Sequence, residues 1–371
     1  MGIKAFFTRD FTFTISFTGA LISCIVGKVE LSFIDSKVIF SLFGFMLTIE
    51  ALKEKGSLRL LAQRLIQIAP TQRRLVQSLV ALSFVASMFL TNDVTILTVL
   101  PIFLMIAHSL LALLEALIGT VLIILAANLG SSAFPTGSPH NIVLYTHYQL
   151  DLFQFLHWML PFQALSAVFL WGLSLCVPVT KIAAFPSLSD KPNRRFLPYI
   201  SLIILIAYTT NIIHGGYWVL LACALVLCQF PKALKSVDYF LLMTFVCFFI
   251  IVGNLSQSAW VTDFLRVRVQ DYHQALWVSA WISQIISNVP AAILLSPFTS
   301  QAQAMVIGAN IGGMGTLIAS LANLIGYKIF VMYYAQEKLR FLAWFSLVNF
   351  AMFLLFLGIF FHLPCRWIKP V

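Results

Sequence analysis

The sequence predicts an all-α polytopic membrane protein with two inverted-topology repeats, two re-entrant hairpins and two broken transmembrane helices. Of the 371 residues, 60% are hydrophobic and only 10% are charged. Soluble domains average about 45–50% apolar and about 25% charged residues. Apolar stretches long enough to cross a bilayer recur along the whole chain. A polar motif that occurs twice predicts the repeats.

Basic loops set the expected orientation of the elements. Lys and Arg residues cluster in the loop 53–74 and in the linker 180–196, and such clusters favour the cytoplasmic side of a membrane. With both segments inside, we expect a cytoplasmic N-terminus, an external C-terminus and about nine spans plus the two hairpins. The net charge of +10 comes from basic residues in short loops between spans, so we expect no nucleic-acid partner.

The predicted segments follow one another in a simple order. An N-terminal helix at 1–32 precedes repeat 1 at 33–179, a cytoplasmic linker at 180–196 and repeat 2 at 197–371. Repeat 1 contains a hairpin at 75–107 and a broken helix at 112–149, and repeat 2 contains a hairpin at 273–300 and a broken helix at 302–336. The hairpins are predicted because two short apolar arms meet at a polar tip, and arms this short form re-entrant segments more often than full spans.

The duplicated motif has constant spacing. The hairpin tips read Thr91-Asn92-Asp93-Val94 and Ser287-Asn288-Val289-Pro290, and their asparagines are 196 positions apart. Beyond the hairpins, four pairs are each 182 positions apart: Asn128 and Asn310, Gly130 and Gly312, Ser138 and Ser320, and Asn141 and Asn323. Conserved order and spacing indicate an internal repeat, and interrupted segments in both halves are typical of secondary transporters. The alternative is that small and amide residues recur in any packed helical bundle.

Polar groups at a tip or a break are unfavourable in a membrane unless they line a cavity or bind something. Hydroxyls and freed carbonyls suit a hard cation such as Na⁺, whereas helix N-termini favour an anion. The cation candidates are Ser87, Thr91, Asn92, Gly130, Ser283, Ser287, Asn288 and Gly312. The substrate candidates are Asn92, Asp93, Ser138, His140, Asn141, Asn288, Ser320 and Asn323, with Asn128, Ser131, Ser132, Asn310, Gly313 and Thr316 as further residues of the breaks.

The two copies differ at two positions that carry chemistry. Asp93 in the first tip corresponds to Val289, and His140 corresponds to Ala322. A carboxylate inside a membrane is typical of a cation ligand or a proton carrier; the alternative is that Asp93 only caps the helix that follows it. His140 either binds an anion or titrates near neutral pH, or it only makes a local hydrogen bond.

The tips, with Gly137-Ser138-Pro139-His140-Asn141 and Gly308-Ala309-Asn310-Ile311-Gly312-Gly313, resemble the ion transporter superfamily. That group includes arsenite permeases, citrate and divalent-anion:sodium symporters, and sodium/proton antiporters. The chain resembles in particular the small permeases of bacterial inner membranes with a citrate-transporter-like domain. The resemblance implies a homodimer in the lipid bilayer, with a scaffold domain and an elevator-like transport domain.

The same resemblance implies one cation at Ser87, Thr91 and Asn92, and another at Ser283, Ser287 and Asn288. In the symporter branch both tips read Ser-Asn-Thr. Here Asp93 and Val289 replace the two threonines, which argues against a di- or tricarboxylate. The Asp is more similar to the arsenite-permease and antiporter branches, which raises proton coupling as an option.

We therefore expect an ion-coupled secondary active transporter of a small anionic solute, with Na⁺ or H⁺ as the coupling ion and no cofactor. The alternatives are a cation/proton antiporter that uses Asp93, an arsenite-type efflux permease, and a channel lined by the hairpins. An enzyme is not expected, because the chain has no His-Glu-x-x-His motif, no second membrane Asp to pair with Asp93 and no nucleophile motif.

Overall fold

The described part of the protein is helical. The computed structural model describes residues 11–28, 30–55, 64, 69–181, 196–210 and 212–362. Within these ranges there is no β-strand, only one isolated bridge between Thr71 and Lys181. The first ten residues of the chain, the centre of the basic loop 53–74 and nearly all of the linker 180–196 lie outside the described residues, as do the predictions made for them.

Seventeen α-helices follow one another in the described ranges. They are α1 (Phe11–Val26), α2 (Ser36–Lys55), α3 (Gln72–Leu90), α4 (Asn92–Leu110), α5 (Leu113–Ser131), α6 (Pro139–His147), α7 (Leu152–Ser174), α8 (Leu197–Thr209), α9 (Tyr217–Gln229), α10 (Ala233–Ser236), α11 (Tyr239–Gln257), α12 (Ala259–Arg266), α13 (Tyr272–Ile286), α14 (Asn288–Leu295), α15 (Ala302–Gly312), α16 (Leu321–Tyr333) and α17 (Lys338–His362). Short 3-10 turns occur at Leu31–Phe33, Pro135–Gly137, Ser296–Phe298 and Ala335–Glu337.

Six of the described helices have the length and composition to cross a membrane, namely α3, α4, α5, α7, α11 and the last helix. Large apolar side chains on several helices are exposed, such as Leu160, Leu220 and Leu347, with 68%, 69% and 65% of their surface accessible. A soluble protein rarely exposes so many, whereas lipid covers them. The fold is therefore that of a polytopic membrane protein, as the composition predicts.

The first hairpin is longer than the sequence predicts. Its arms, α3 and α4, each contain 19 residues and meet at Thr91. Helix α3 starts earlier because Thr71 caps it, accepting a hydrogen bond from Arg74 N at 3.3 Å, so the polar residues before the apolar run join the helix. Each arm is long enough to span a membrane. The second hairpin does have short arms, with 15 residues in α13 and 8 in α14.

Both long segments after the hairpins are interrupted. Helix α5 ends at Ser131 and α6 begins at Pro139, with the turn Pro135–Gly137 between them. Helix α15 ends at Gly312, and α16 begins at Leu321. We call 132–138 the first break and 313–320 the second break.

The buried apolar side chains form two large clusters. One joins the hairpins, the broken helices, α7 and α17, with Phe103, Leu125 and Phe356 at its centre; we call these elements the inner body. The other joins α2, α8, α9 and α11, with Phe45 and Phe245 among its members; we call these the outer body. Helices α6 and α14 also contribute apolar residues to the second cluster. The two bodies therefore meet along the helices that follow the first break and the second tip.

Candidate functional site

Both hairpin tips contain a strained residue at the same position of the repeat. Thr91 has φ 67° and ψ 153°, and Ser287 has φ 75° and ψ 152°. A positive φ is uncommon for residues other than glycine, and it is an outlier for a β-branched residue such as threonine. Such residues cost about 1–3 kcal/mol each and cluster at functional sites. This backbone conformation turns the chain sharply, so that α4 begins at Asn92 and α14 begins at Asn288.

The first tip is tied to the first broken helix and, through it, to the second break. Asn92 Nδ2 donates to Asn128 Oδ1 at 2.9 Å, and Asn128 Nδ2 donates to Asn323 Oδ1 at 2.7 Å. Asn323 Nδ2 in turn donates to the carbonyls of Gly313 and Thr316, at 3.1 and 3.0 Å. Because a carbonyl only accepts, these last bonds fix the orientation of all three amides.

Equivalent bonds link α15 to α6, the helix that follows the first break. Asn310 Nδ2 donates to Asn141 Oδ1 at 2.8 Å, and Asn141 Nδ2 donates to Ser131 O at 3.4 Å. These three residues are the repeat partners, 182 positions away, of Asn128, Asn323 and Gly313. The helix before each break therefore hydrogen-bonds to the helix after the break of the other repeat, and two equivalent amide pairs join the halves.

A glycine in each broken helix lets the hairpin approach closely. A Cβ on Gly130 would overlap the Phe84 carbonyl and lie 2.5 Å from Ser87 Oγ. A Cβ on Gly312 would overlap Ser283 Oγ and lie 2.5 Å from Ser283 Cβ. Only glycine fits at these two positions, which explains why the repeat keeps this residue there.

The two serine hydroxyls beside these glycines have acceptor capacity left. Ser87 Oγ donates to Phe84 O at 3.1 Å, and Ser283 Oγ donates to Ser279 O at 2.7 Å. A hydroxyl has one donor and two acceptor lone pairs, so each oxygen can still coordinate a cation. The donor set is neutral and made of oxygen atoms, which fits a hard cation such as Na⁺.

His140 breaks the symmetry between the copies. On one side of the site, Ser320 Oγ donates directly to Asn128 Oδ1 of the other repeat at 3.3 Å. On the equivalent side, His140 Nε2 lies 3.0 Å from Asn310 Oδ1 of the other repeat and 3.3 Å from Ser138 Oγ. The imidazole thus stands between the serine and the asparagine. Only 3% of its surface is exposed.

Two glutamines that the sequence does not single out hold the ends of α5 and α15. Gln284 Nε2 donates to the carbonyls of Gly312 and Met314, at 2.9 and 3.0 Å. Gln163 Nε2 donates to Leu129 O at 2.9 Å. These amides satisfy carbonyls near a helix end that have no i+4 partner inside the membrane. The repeat arithmetic does not find Gln284, because its partner in the first copy is Met88.

Asp93 does not belong to this amide network. It lies in the first turn of α4, whose N-cap is Thr91, so the interpretation of Asp93 as the cap of α4 is wrong. It lines a cavity of about 120 Å³ together with Thr91, Pro139 and Leu321. The last two are the first residues of α6 and α16. The cavity therefore adjoins the N-termini of three helices, whose dipoles favour negative charge.

The opposite wall of this cavity belongs to the outer body and carries two more acids. Glu50 of α2 and Asp238, the N-cap of α11, line it with Asp93, and its lining contains no Lys, Arg or His. Asp238 is exposed, which places it at the mouth. The sequence analysis does not connect these two acids with Asp93, because their approach to it depends on tertiary packing.

The structure thus brings most predicted site residues together. Two amide clusters contain Asn92, Asn128, Ser320 and Asn323 on one side and Ser138, His140, Asn141 and Asn310 on the other. The second tip joins the second break through its backbone, because Asn288 N donates to Ala319 O at 2.9 Å. Asp93, together with Thr91, lines the acidic cavity rather than an amide cluster.

Known proteins are similar to this chain in sequence or in fold. The chain is 30% identical over 303 residues to the inner membrane protein YbiR of Escherichia coli, which covers 80% of each chain. It is 29% identical over 304 residues to an uncharacterised transporter of Methanocaldococcus jannaschii, covering 80% of this chain and 81% of the relative. Among solved structures, the Alcanivorax borkumensis YdaH transporter superimposes with a TM-score of 0.52 at 11% identity, over 88% of this chain and 84% of that one. That likeness shows the fold alone.

The match to a protein family covers most of the site. Residues 7–305 match the citrate transporter family, a range that includes both hairpins and the first broken helix but ends near the start of α15. The protein is an integral membrane transporter rather than an enzyme, and it belongs to the citrate transporter family.

Proposed function

We propose that the protein is an ion-coupled secondary active transporter that moves a small anionic solute by an elevator-type alternating-access mechanism. The observation that carries the proposal is the cavity of about 120 Å³ between the two bodies. It lies beside the first tip and beside the first residues of α6 and α16. Its size suits a small solute, and the helix N-termini around it favour an anion.

The two hydrophobic clusters support the elevator mechanism. The inner body contains both hairpins and both broken helices, so it holds every candidate ligand apart from Glu50 and Asp238. The outer body packs against it along the cavity. A rigid inner body that slides along the outer body would carry the site from one side of the membrane to the other. A homodimer that anchors the outer body is part of the same proposal.

Asp93 is the proposed site of coupling. An ionised Asp93 would repel an anion in so small a cavity, because an interaction between charges is strong where water is scarce. Binding a proton or Na⁺ at Asp93 removes this repulsion, so that solute and coupling ion bind together. The serine hydroxyls beside Gly130 and Gly312 supply further oxygen ligands if the ion is Na⁺.

Reconstitution into liposomes tests this function. Citrate, succinate, phosphate and arsenite are supplied as labelled solutes under an imposed proton gradient, an imposed Na⁺ gradient, or neither. We expect one gradient to drive accumulation of at least one solute, and Asp93→Asn to abolish the gradient dependence. Asp271→Asn is the matched control: Asp271 caps α13 by accepting from Gln274 N at 2.8 Å, a role that asparagine also performs. The absence of gradient-driven flux for every solute would contradict the proposal.

A second candidate function is cation/proton exchange. It is favoured by the three carboxylates Glu50, Asp93 and Asp238, which line the same cavity. An exchanger dissipates a pre-formed pH gradient when Na⁺ or K⁺ is added, without any organic or inorganic anion as substrate. Such a signal, lost in D93N and kept in D271N, would favour exchange over anion transport.

A further inference from the structure

The amide of Gln284 lies beside the second break, among carbonyl groups of the backbone. Its Nε2 is within hydrogen-bond distance of three carbonyl oxygens, those of Gly312 at 2.9 Å, Met314 at 3.0 Å and Ala280 at 3.3 Å. Its Oε1 accepts from Thr316 N at 2.9 Å. A carbonyl only accepts and a backbone N–H only donates, so these neighbours fix which end of the amide is the nitrogen. Only 8% of the surface of Gln284 is exposed.

These carbonyls are the ligands that a cation in the second copy would need. Gly312 is one of the cation candidates, and because glycine has no side chain, it can offer only its carbonyl. Hard cations bind oxygen atoms, including those of backbone carbonyls. Three carbonyls that converge on one point suit such an ion, but Nε2 of Gln284 occupies that point. The ion would have to displace the amide, so the residues of the second copy do not fit a cation. Ser283 Oγ is then left without the carbonyl ligands that a cation beside it would share.

The first copy has no such amide. The repeat partner of Gln284 is Met88, and a thioether has no hydrogen to donate. The partners of its two nearest carbonyls, 182 positions earlier, are those of Gly130 and Ser132. No side chain in the described ranges donates to either carbonyl. Both therefore keep acceptor capacity for a cation beside Ser87 Oγ.

We propose that the Gln284 amide replaces a cation in the second copy, so that the protein couples transport to a single ion, which binds at the first copy. That ion is either Na⁺ beside Ser87 or a proton at Asp93. The inference rests on the proposed function and narrows it, because it departs from the expectation of a second cation at the second tip. The chain itself supplies the donor that holds the second break, whereas the first break depends on the coupling ion.

Replacing Gln284 by glutamate tests the amide nitrogen without a change in side-chain size. In Gln284→Glu a carboxylate oxygen takes the position of Nε2, so that oxygen faces oxygen unless a cation lies between them. The midpoint of thermal unfolding is measured in detergent at constant ionic strength, with choline chloride replaced stepwise by NaCl. We expect Q284E to unfold at a lower temperature than the wild type in choline chloride. Saturating Na⁺ should raise its midpoint on the order of 5 °C more than that of the wild type.

Two further variants complete this measurement. Gln284→Met installs the residue of the first copy, so it should also respond to Na⁺ more than the wild type does, and it serves if Q284E does not fold. Gln77→Glu is the matched control, because Gln77 Nε2 donates to the Ser174 hydroxyl at 3.0 Å rather than to a group of carbonyls. Its response to Na⁺ should equal that of the wild type. Responses of Q284E and Q284M no larger than that of Q77E would overturn the proposal.

Two serine variants locate a cation that the wild type itself binds. Ser87→Ala and Ser283→Ala each remove a hydroxyl whose own hydrogen bond goes to a carbonyl of the same helix. If Na⁺ stabilises the wild type, we expect S87A to remove that stabilisation and S283A to keep it. Loss in S283A would place a cation in the second copy and contradict the proposal. A wild type that Na⁺ does not stabilise agrees with a proton at Asp93 and with a second copy already filled by Gln284.

Transport gives the number of coupling ions. The membrane potential is held at zero with K⁺ and valinomycin, and the steady-state accumulation of the transported anion is measured at several gradients of the coupling ion. One ion per solute gives about tenfold accumulation for a tenfold gradient, and two ions give about a hundredfold. We expect the first result, and the second would overturn the proposal. If no gradient drives accumulation, the proposed function fails, and the Na⁺ response of Q284E still decides the role of Gln284.

Discussion

Replacing Gly130 by alanine tests the close approach of the first hairpin to the first broken helix. The new Cβ would overlap the Phe84 carbonyl and lie 2.5 Å from Ser87 Oγ, and a carbonyl within a helix cannot rotate away. Overpacking of this kind costs about 1–3 kcal/mol or more, and alanine returns about 1 kcal/mol in helix propensity. We expect a net loss of about 2 kcal/mol in the free energy of unfolding, measured by denaturant titration in micelles.

Gly172 provides the control, because a Cβ there meets nothing within 4 Å. Gly172→Ala should be neutral or stabilising by up to about 1 kcal/mol. At Gly312 the Cβ meets the side chain of Ser283, so Ser283→Gly should recover part of the loss caused by Gly312→Ala. Ser87→Gly should not rescue Gly130→Ala, because the obstacle there includes backbone. If G130A is as stable as G172A, the hairpin and the broken helix do not pack as described.

Two further predictions concern the tips and the amide network. Thr91→Gly and Ser287→Gly should leave the free energy of unfolding unchanged or raise it by up to about 1 kcal/mol, because glycine relieves the strain at a positive φ. Thr98→Gly, inside α4, should lower the free energy of unfolding by about 1 kcal/mol. Equal losses at all three positions would argue against strain at the tips. Asn128→Ala should cost about 3 kcal/mol or more, because it leaves Asn92 and Asn323 without their partners. Asn349→Leu should be nearly neutral, because the Asn349 Oδ1 is buried without a hydrogen bond; an equally large loss there would show that the network is not special.

The sequence was sufficient to identify the polar residues beside the breaks, although it did not predict which of them pair across the repeats. Asn128, Asn141, Asn310 and Asn323 are polar residues in apolar surroundings at constant separations, and a membrane forces such groups to find one another. Gly130 and Gly312 could also be predicted, because a hairpin that packs closely against a helix needs a residue without a side chain at the contact. A repeat in sequence therefore predicts a repeat in contacts.

Other parts of the site could not be predicted in this way. Glu50 and Asp238 approach Asp93 only because the outer body packs against the first tip, and no spacing rule connects these three segments. Gln284 has Met88 as its repeat partner, so the arithmetic passes over it. The length of the first hairpin also escaped prediction, because its extra turn at Gln72–Arg74 is polar and was assigned to the basic loop.

The cross-repeat amide pairs also determine when, during synthesis of the chain, the site can assemble. Asn128 and Asn323 are 195 positions apart, and Asn141 and Asn310 are 169 apart. A ribosome completes the first half long before either partner exists, so the amides of α5 and α6 enter the bilayer without their final partners. We expect the first half to remain loosely assembled, close to water or to the insertion machinery, until the second half arrives. Translation of the last third of the chain, rather than insertion of the first helices, then sets when the transport site comes into being.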